Sequence, residues 1–141
     1  MKIPESARAV INSAALAHLV TLNRDGSPQV TIVWARMDGD DVIAGHLYAL
    51  QKVRNMRNDA RVAVSFESGT QSQMGLDEYL VVYGQAQIEE GGAPELLQEL
   101  AYTYIGPGVK FPTLENPPPG YITRIKVERI SGVGPWTSRD V

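Results

Sequence analysis

The stretch Tyr79-Leu80-Val81-Val82-Tyr83-Gly84-Gln85-Ala86-Gln87-Ile88 has the clearest β-strand pattern in the chain. Side chains alternate between the two faces of a strand, and here one face is apolar while the other carries chiefly tyrosine and glutamine. The predicted buried face consists of Leu80, Val82, Ala86 and Ile88. A half-buried strand needs neighbouring strands, so this segment predicts a β-sheet with one side against a core.

The rest of the chain supplies those neighbours. Asp-Gly pairs at residues 25–26 and 38–39 predict tight turns because glycine tolerates positive φ, so the first three strands are expected to form an antiparallel meander. Segments 67–77 and 106–120 are polar or rich in glycine and proline and are predicted loops. The predicted strands span residues 17–22, 29–36, 41–45, 61–66, 79–88 and 121–131, and the predicted helices span residues 4–14, 49–58 and 93–105.

These elements define an expected fold class. The 141 residues suffice for one domain with its own core, and we expect a single domain over residues 1–141. A content of 43% hydrophobic and 21% charged residues is typical of a globular protein. Six mostly antiparallel strands interrupted by short helices predict a small closed or half-closed barrel. Such a barrel leaves strand edges and one broad apolar face uncovered, so we expect a homodimer.

Composition excludes several classes of function. The chain has no cysteine and two histidines, which removes disulfides, thiolate nucleophiles and cysteine-based metal sites, and no metal site is expected. A net charge of −3 argues against a nucleic-acid partner. No apolar run reaches the ~20 residues that span a bilayer, and the start Met1–Ser6 lacks the apolar centre of a signal peptide. We therefore expect a cytoplasmic protein without a membrane partner.

One segment, residues 52–61, has a strong local charge. Its basic residues are Lys52, Arg54, Arg57 and Arg61, and they are opposed by Asp59 alone. The cluster follows a predicted strand and lies on a predicted helix, whose first backbone N–H groups are free to bind an anion. Lysine and arginine add charge-assisted hydrogen bonds. The pattern indicates either a phosphate or carboxylate site for a small ligand, or a solvated helix face.

Two motifs resemble a known family. Residues 21–34 read Thr-Leu-Asn-Arg-Asp-Gly-Ser-Pro-Gln-Val-Thr-Ile-Val-Trp, and residues 52–62 read Lys-Val-Arg-Asn-Met-Arg-Asn-Asp-Ala-Arg-Val. These two segments resemble the corresponding motifs of the pyridoxamine 5′-phosphate oxidase-like split-barrel flavoproteins, and most of all those of the branch that uses the deazaflavin coenzyme F420. The resemblance covers about residues 15–136 and implies a six-stranded antiparallel split β-barrel with FMN- or F420-type cofactors, acting as a homodimer.

The resemblance also implies a site in a groove between two protomers. In the family, strand backbone faces the cofactor ring system, and the loop before the second motif holds the phosphate together with its lysine. The implied cofactor-binding residues are Thr31, Ile32, Val33, Trp34, Gly45, His46, Gln51, Lys52, Arg57, Tyr79 and Trp136. Relatives carry an arginine where this chain has Leu50 or Gln51, and Arg54 or Arg57 is a candidate to replace it. No catalytic residue is indicated, because hydride chemistry belongs to the cofactor ring.

The leading functional hypothesis is an F420-dependent oxidoreductase that transfers hydride between the deazaflavin and an unsaturated small-molecule substrate. One alternative is an FMN-dependent oxidoreductase similar to pyridoxamine-phosphate oxidases. Those enzymes hold substrate phosphate with basic residues near the C-terminus, whereas residues 134–141 here offer one arginine, Arg139, and no histidine. A second alternative is a flavin- or deazaflavin-binding protein without turnover. The absence of G-x-S-x-G and G-x-G-x-x-G motifs fits all three and disfavours a serine hydrolase or a Rossmann enzyme.

Overall fold

Alternating apolar residues and glycine-containing turns produce a mostly-β fold with short helices, as the sequence predicts. The computed structural model describes residues 1–137, and this range contains seven β-strands and three α-helices. Every helix within this range is too short or too polar to span a bilayer. In chain order the elements are α1 (Glu5–Ile11), β1 (Ala17–Leu22), β2 (Pro28–Val33), β3 (Arg36–Asp38), β4 (Asp41–His46), α2 (Gln51–Asn58), β5 (Arg61–Gln71), β6 (Asp77–Glu90), α3 (Ala93–Tyr104) and β7 (Tyr121–Val133).

All strand pairs are antiparallel and form one sheet. Its order is β2-β1-β5-β6-β7-β4-β3, so β2 and β3 are the two edges within residues 1–137. Leu19 of β1 and Val42 of β4 belong to the same buried cluster although three strands lie between them. The sheet must therefore curve around a shared core. Helix α1 covers this core with Ala7 and Ile11, both fully buried.

Residues 79–88 lie in β6, at the centre of the sheet. Leu80 and Val82 are fully buried and Ala86 is 6% exposed, which confirms the predicted inward face. β6 pairs with β5 on one side and β7 on the other. Gly84 is required at a register shift between β6 and β7, because a Cβ there would lie 2.2 Å from the Lys126 carbonyl oxygen.

The predicted number of six strands is wrong, because the expected strand 29–36 is divided into β2 and β3. Tyr104 of α3 causes the break: its hydroxyl accepts a hydrogen bond from the Ala35 amide at 3.0 Å and lies 3.2 Å from the Ala35 carbonyl oxygen. The Trp34 ring stacks on the Tyr104 ring with centroids 5.4 Å apart. Contacts with a helix from a distant part of the chain thus replace ladder hydrogen bonds at this point.

The predicted loop 67–77 is also wrong in part. β5 continues to Gln71 and β6 begins at Asp77, so the two strands form a long hairpin with a register shift between Glu67 and Gln71. Its polar side chains pair across the strands, with Thr70 donating to Glu78 at 2.7 Å. An exposed hairpin needs no apolar alternation, and this is why periodicity missed it. The second predicted loop, 106–120, is confirmed as irregular.

Edge strand β2 turns apolar side chains outward. Val30 is 60% exposed and Ile32 is 56% exposed, whereas Gln29 and Thr31 on the opposite face are partly buried. Apolar and polar side chains alternate along β2, and the face that carries Val30 and Ile32 is directed away from the protomer core. An edge strand with an uncovered apolar face is a surface suited to association.

Candidate functional site

A cavity of about 300 Å³ lies where the ends of β2 and β4, the start of α2, α3 and loop 106–120 meet. This volume is at the lower end of the range for ligand sites. The cavity brings together six of the residues predicted from the sequence. Its lining consists of Ile32, Val33, Trp34, Gly45, His46, Leu47, Tyr48, Leu50, Lys52, Leu97 and Phe111.

Aromatic side chains form one wall of this cavity. Trp34 contacts two other rings: Tyr104 stacks on it, and the Phe111 centroid is 5.1 Å away at an interplanar angle of 57°. The Tyr104 hydroxyl also donates to the Ala15 carbonyl at 2.7 Å, and burial raises the pKa of this hydroxyl. The Tyr104 ring, fixed by this hydrogen bond, therefore supports the Trp34 ring. Offset-stacked and tilted aromatic pairs stabilise each other, and an exposed part of such a pair can contact a further flat ring in the same way.

Helix α3 packs closely against the floor of the cavity. A Cβ at Gly45 would lie 3.2 Å from the Leu97 Cγ, so a larger residue at the end of β4 would push α3 outward. Sequence reasoning missed Leu97 and Phe111 as lining residues. Leu97 looked like any apolar position of an amphipathic helix, and Phe111 lies in a segment without periodicity, so neither had a distinguishing signal.

Among residues 1–137, Lys52 is the one charged side chain in the cavity lining. It lies in the first turn of α2 and is half-buried, and burial lowers the pKa of its ammonium group. Within residues 1–137, Lys52 has no carboxylate close enough for a salt bridge. A desolvated cation without a counter-ion strongly favours an incoming anion.

His46 is buried beside Lys52 and is neutral near pH 7. Desolvation, with a smaller contribution from the Lys52 charge, lowers the pKa of His46 to about 4. Its Nε2 lies 2.7 Å from the Thr123 Oγ1, and that hydroxyl is in turn 3.8 Å from the Met56 Sδ. A neutral imidazole can offer a hydrogen bond to a ligand without adding a second charge to the cavity.

Gln51 and Arg57 lie in a different cleft on the other side of α2. This cleft encloses about 570 Å³ and is lined by Arg24, Gln51, Arg54, Asn55, Arg57 and Asn58. Arg57 is five residues after Lys52 and so points about 140° away from it around the helix. Its guanidinium lies over the Tyr121 ring at 4.9 Å. Arg54 and Arg57 thus line this second cleft and not the Lys52 cavity of the protomer, and their role in replacing the missing arginine stays a prediction.

Thr31, Tyr79 and Trp136 also lie outside the Lys52 cavity of this chain. Thr31 is on the opposite face of β2 from Ile32, and its Oγ1 is buried without a hydrogen-bond partner among residues 1–137. Tyr79 borders a separate depression near His18. Trp136 is 8% exposed and packs into the main core. Of the C-terminal segment 134–141, whose single arginine disfavours a phosphate-bearing substrate, residues 138–141 with Arg139 lie outside the described range.

A family model for pyridoxamine 5′-phosphate oxidase matches residues 3–134. The chain therefore belongs to the pyridoxamine 5′-phosphate oxidase family, a class of flavin-binding folds that includes oxidoreductases. Comparison with curated protein sequences gives no significant match.

Three solved structures illustrate the similarity. An F420 reductase is 25% identical, with 92% of this chain and 98% of that chain covered and a TM-score of 0.74. HupZ from Group A Streptococcus is 22% identical, with 93% and 94% covered and a TM-score of 0.65. An FMN-binding protein from Syntrophomonas wolfei subsp. wolfei is 17% identical, with 92% and 85% covered and a TM-score of 0.65. The last two similarities show a shared fold alone.

Proposed function

We propose that this protein is an F420-dependent oxidoreductase that transfers hydride between the deazaflavin and an unsaturated small molecule. The observation that carries the proposal is the composition of the cavity: a half-buried cation, Lys52, has no salt-bridge partner among residues 1–137 and lies beside an apolar wall of Trp34, Leu97 and Phe111. Such a lining is complementary to a ligand with a phosphate and a flat ring system. The 25% identity to an F420 reductase over most of both chains favours the deazaflavin.

The residues present fit a cofactor of this class. When bound, the deazaflavin or flavin ring supplies the hydride chemistry. Lys52 binds the phosphate, and its low solvation makes that ion pair stronger than a surface pair. Trp34 and Phe111 orient the ring and exclude water, while Gly45 lets α3 pack closely enough for Leu97 to line the cavity. His46, kept neutral by burial, provides a hydrogen bond without opposing the charge of Lys52.

A second copy of the chain completes the site in this proposal. Ile32 both lines the cavity and is 56% exposed, and Val30 extends the same uncovered apolar face along β2. Because the cavity in one protomer is about 300 Å³, it has room for part of a large cofactor only. Covering the face of β2 with a partner would bury Val30 and deepen the cavity into a groove between protomers.

Titration of the purified protein with F420 and with FMN tests the proposal. Binding is followed by ligand fluorescence, and turnover by oxidation of the reduced deazaflavin in the presence of conjugated carbonyl compounds. Binding of F420 with turnover supports the proposal. A protein that is purified with FMN bound, or that prefers FMN in the titration, overturns the choice of deazaflavin and identifies an FMN-dependent relative. Tight F420 binding without oxidation of the reduced form by any acceptor identifies a binding protein without turnover.

A further inference from the structure

Loop 106–120 carries Phe111 into the cavity, although most of the loop is exposed. Phe111 is partly buried against Trp34, and the following Pro112 is buried, whereas Gly108 and Lys110 face solvent. An irregular segment holds one side chain in a defined position only if something fixes its backbone. The structure shows what fixes it.

Gln98 of α3 fixes the loop through both ends of its side-chain amide. Its Nε2 donates to the Val109 carbonyl at 2.7 Å, and its Oε1 accepts from the Phe111 amide at 3.1 Å. Among the hydrogen bonds within residues 1–137, these two are the ones that join residues 107–118 to the rest of the protein. Gln98 follows Leu97, which lines the cavity, so loop and cavity wall are held by the same turn of α3.

The second side of the aromatic wall is fixed by the same helix. Tyr104 stacks on Trp34 and bonds the backbone at Ala35, so α3 sets the position of Trp34 as well. Trp34 and Phe111 contact each other and together form an aromatic wall of the cavity, and both are attached to α3 through backbone hydrogen bonds. A preformed wall of this kind binds a flat ring with little loss of conformational entropy.

We propose that Phe111, positioned by Gln98, is the specificity-determining residue that selects flat ring ligands in this cavity. This inference rests on the proposed function, since it assigns a role within the same site. Phe111 acts by direct contact with the ring, and Gln98 is a positioning residue that acts through the loop. Lys52 binds the phosphate independently of Phe111, so the ring and the phosphate of the ligand are recognised by different residues.

The test separates ring recognition from phosphate recognition. FMN and riboflavin share a ring and differ in the phosphate; F420 and its phosphate-free deazaflavin chromophore form a second such pair. We expect Phe111→Ala to weaken both members of a pair about tenfold, the effect of losing an aromatic contact together with its buried area. Phe111→Leu, which retains volume without the aromatic ring, should lose less and serves as the variant if the alanine protein fails to fold.

Gln98→Met keeps the length of the side chain and removes both hydrogen bonds. We expect faster hydrogen exchange at the Phe111 amide and weaker binding of both members of each pair. Gln87→Met is the matched control, since Gln87 is an exposed residue of β6 outside the cavity lining, and it should change neither measurement.

The possible results distinguish this inference from the proposed function. If the native protein binds flavin or deazaflavin and Phe111→Ala binds them equally well, the inference fails and the proposed function stands. Unchanged exchange at the Phe111 amide in Gln98→Met overturns the role of Gln98. If the native protein binds none of the four ligands, the proposed function fails and the ring-selecting role fails with it.

Discussion

Replacing Lys52 by methionine is the sharpest test of the site, because the structure predicts opposite effects on binding and on stability. The ammonium group is half-buried without a salt-bridge partner among residues 1–137. A hydrogen bond to a charged group contributes about 1.5–3 kcal/mol, so the loss of Lys52 should weaken binding of a phosphate-bearing ligand about 10- to 150-fold. Binding of the matching phosphate-free ligand should hardly change.

The free protein should respond in the other direction. Burial places the pKa of Lys52 below its value in the unfolded chain, so at pH 7 the charged lysine is disfavoured in the folded state. Removing that charge should leave the thermal midpoint of the ligand-free protein unchanged or higher. A variant that loses binding while keeping its stability therefore has lost a specific contact and not its fold.

The assay is fluorescence titration of FMN, riboflavin, F420 and the phosphate-free deazaflavin, combined with thermal unfolding of each ligand-free protein. Arg57→Met is the matched control, because Arg57 lies on the same helix but in the other basic cleft. Equal binding of the phosphate-bearing ligands by Lys52→Met and the native protein would refute the site. If Arg57→Met loses as much affinity as Lys52→Met, the phosphate lies in the other cleft and the reasoning is wrong.

Three further predictions follow from burial and packing. His46 has a pKa of about 4 in the folded state against 6.5 ordinarily, so the unfolded chain takes up a proton first as the pH falls. The free energy of unfolding measured in urea should therefore fall by about 2 kcal/mol from pH 7.5 to 5, and His46→Gln should flatten this slope. Val30→Lys should give a monomer by light scattering if β2 pairs with a second copy, and a dimer that persists would exclude this face. Gly84→Ala should destabilise the protein by about 3 kcal/mol or more, because its Cβ would meet the Lys126 carbonyl oxygen at 2.2 Å; a urea midpoint near that of the native protein would contradict the packing described.

Local patterns predicted the central elements for a clear physical reason. Because β6 is buried on one face, apolar and polar residues must alternate along residues 79–88. The Asp25–Gly26 turn depends on a local hydrogen bond and on a positive φ at Gly26. The position of Lys52 at the start of a helix was also predictable, because a strand followed by helical spacing defines that junction. These features depend on neighbours in sequence.

The features that decide the site depend on contacts between distant residues. Tyr104 divides the predicted strand 29–36 by its hydrogen bond with Ala35. Gln98 fixes Phe111 in a segment without periodicity. In both hydrogen bonds the two residues lie more than ten positions apart in the sequence. Arg57 looked equivalent to Lys52 in a run of basic residues, but the turn of α2 directs the two into different clefts. The amino-acid sequence alone determined the family, the mostly-β class and the cationic junction, because these arise from local periodicity and motif. Only the tertiary structure decided which cation enters the cavity and which rings enclose it, because helix rotation and the packing of α3 set those positions.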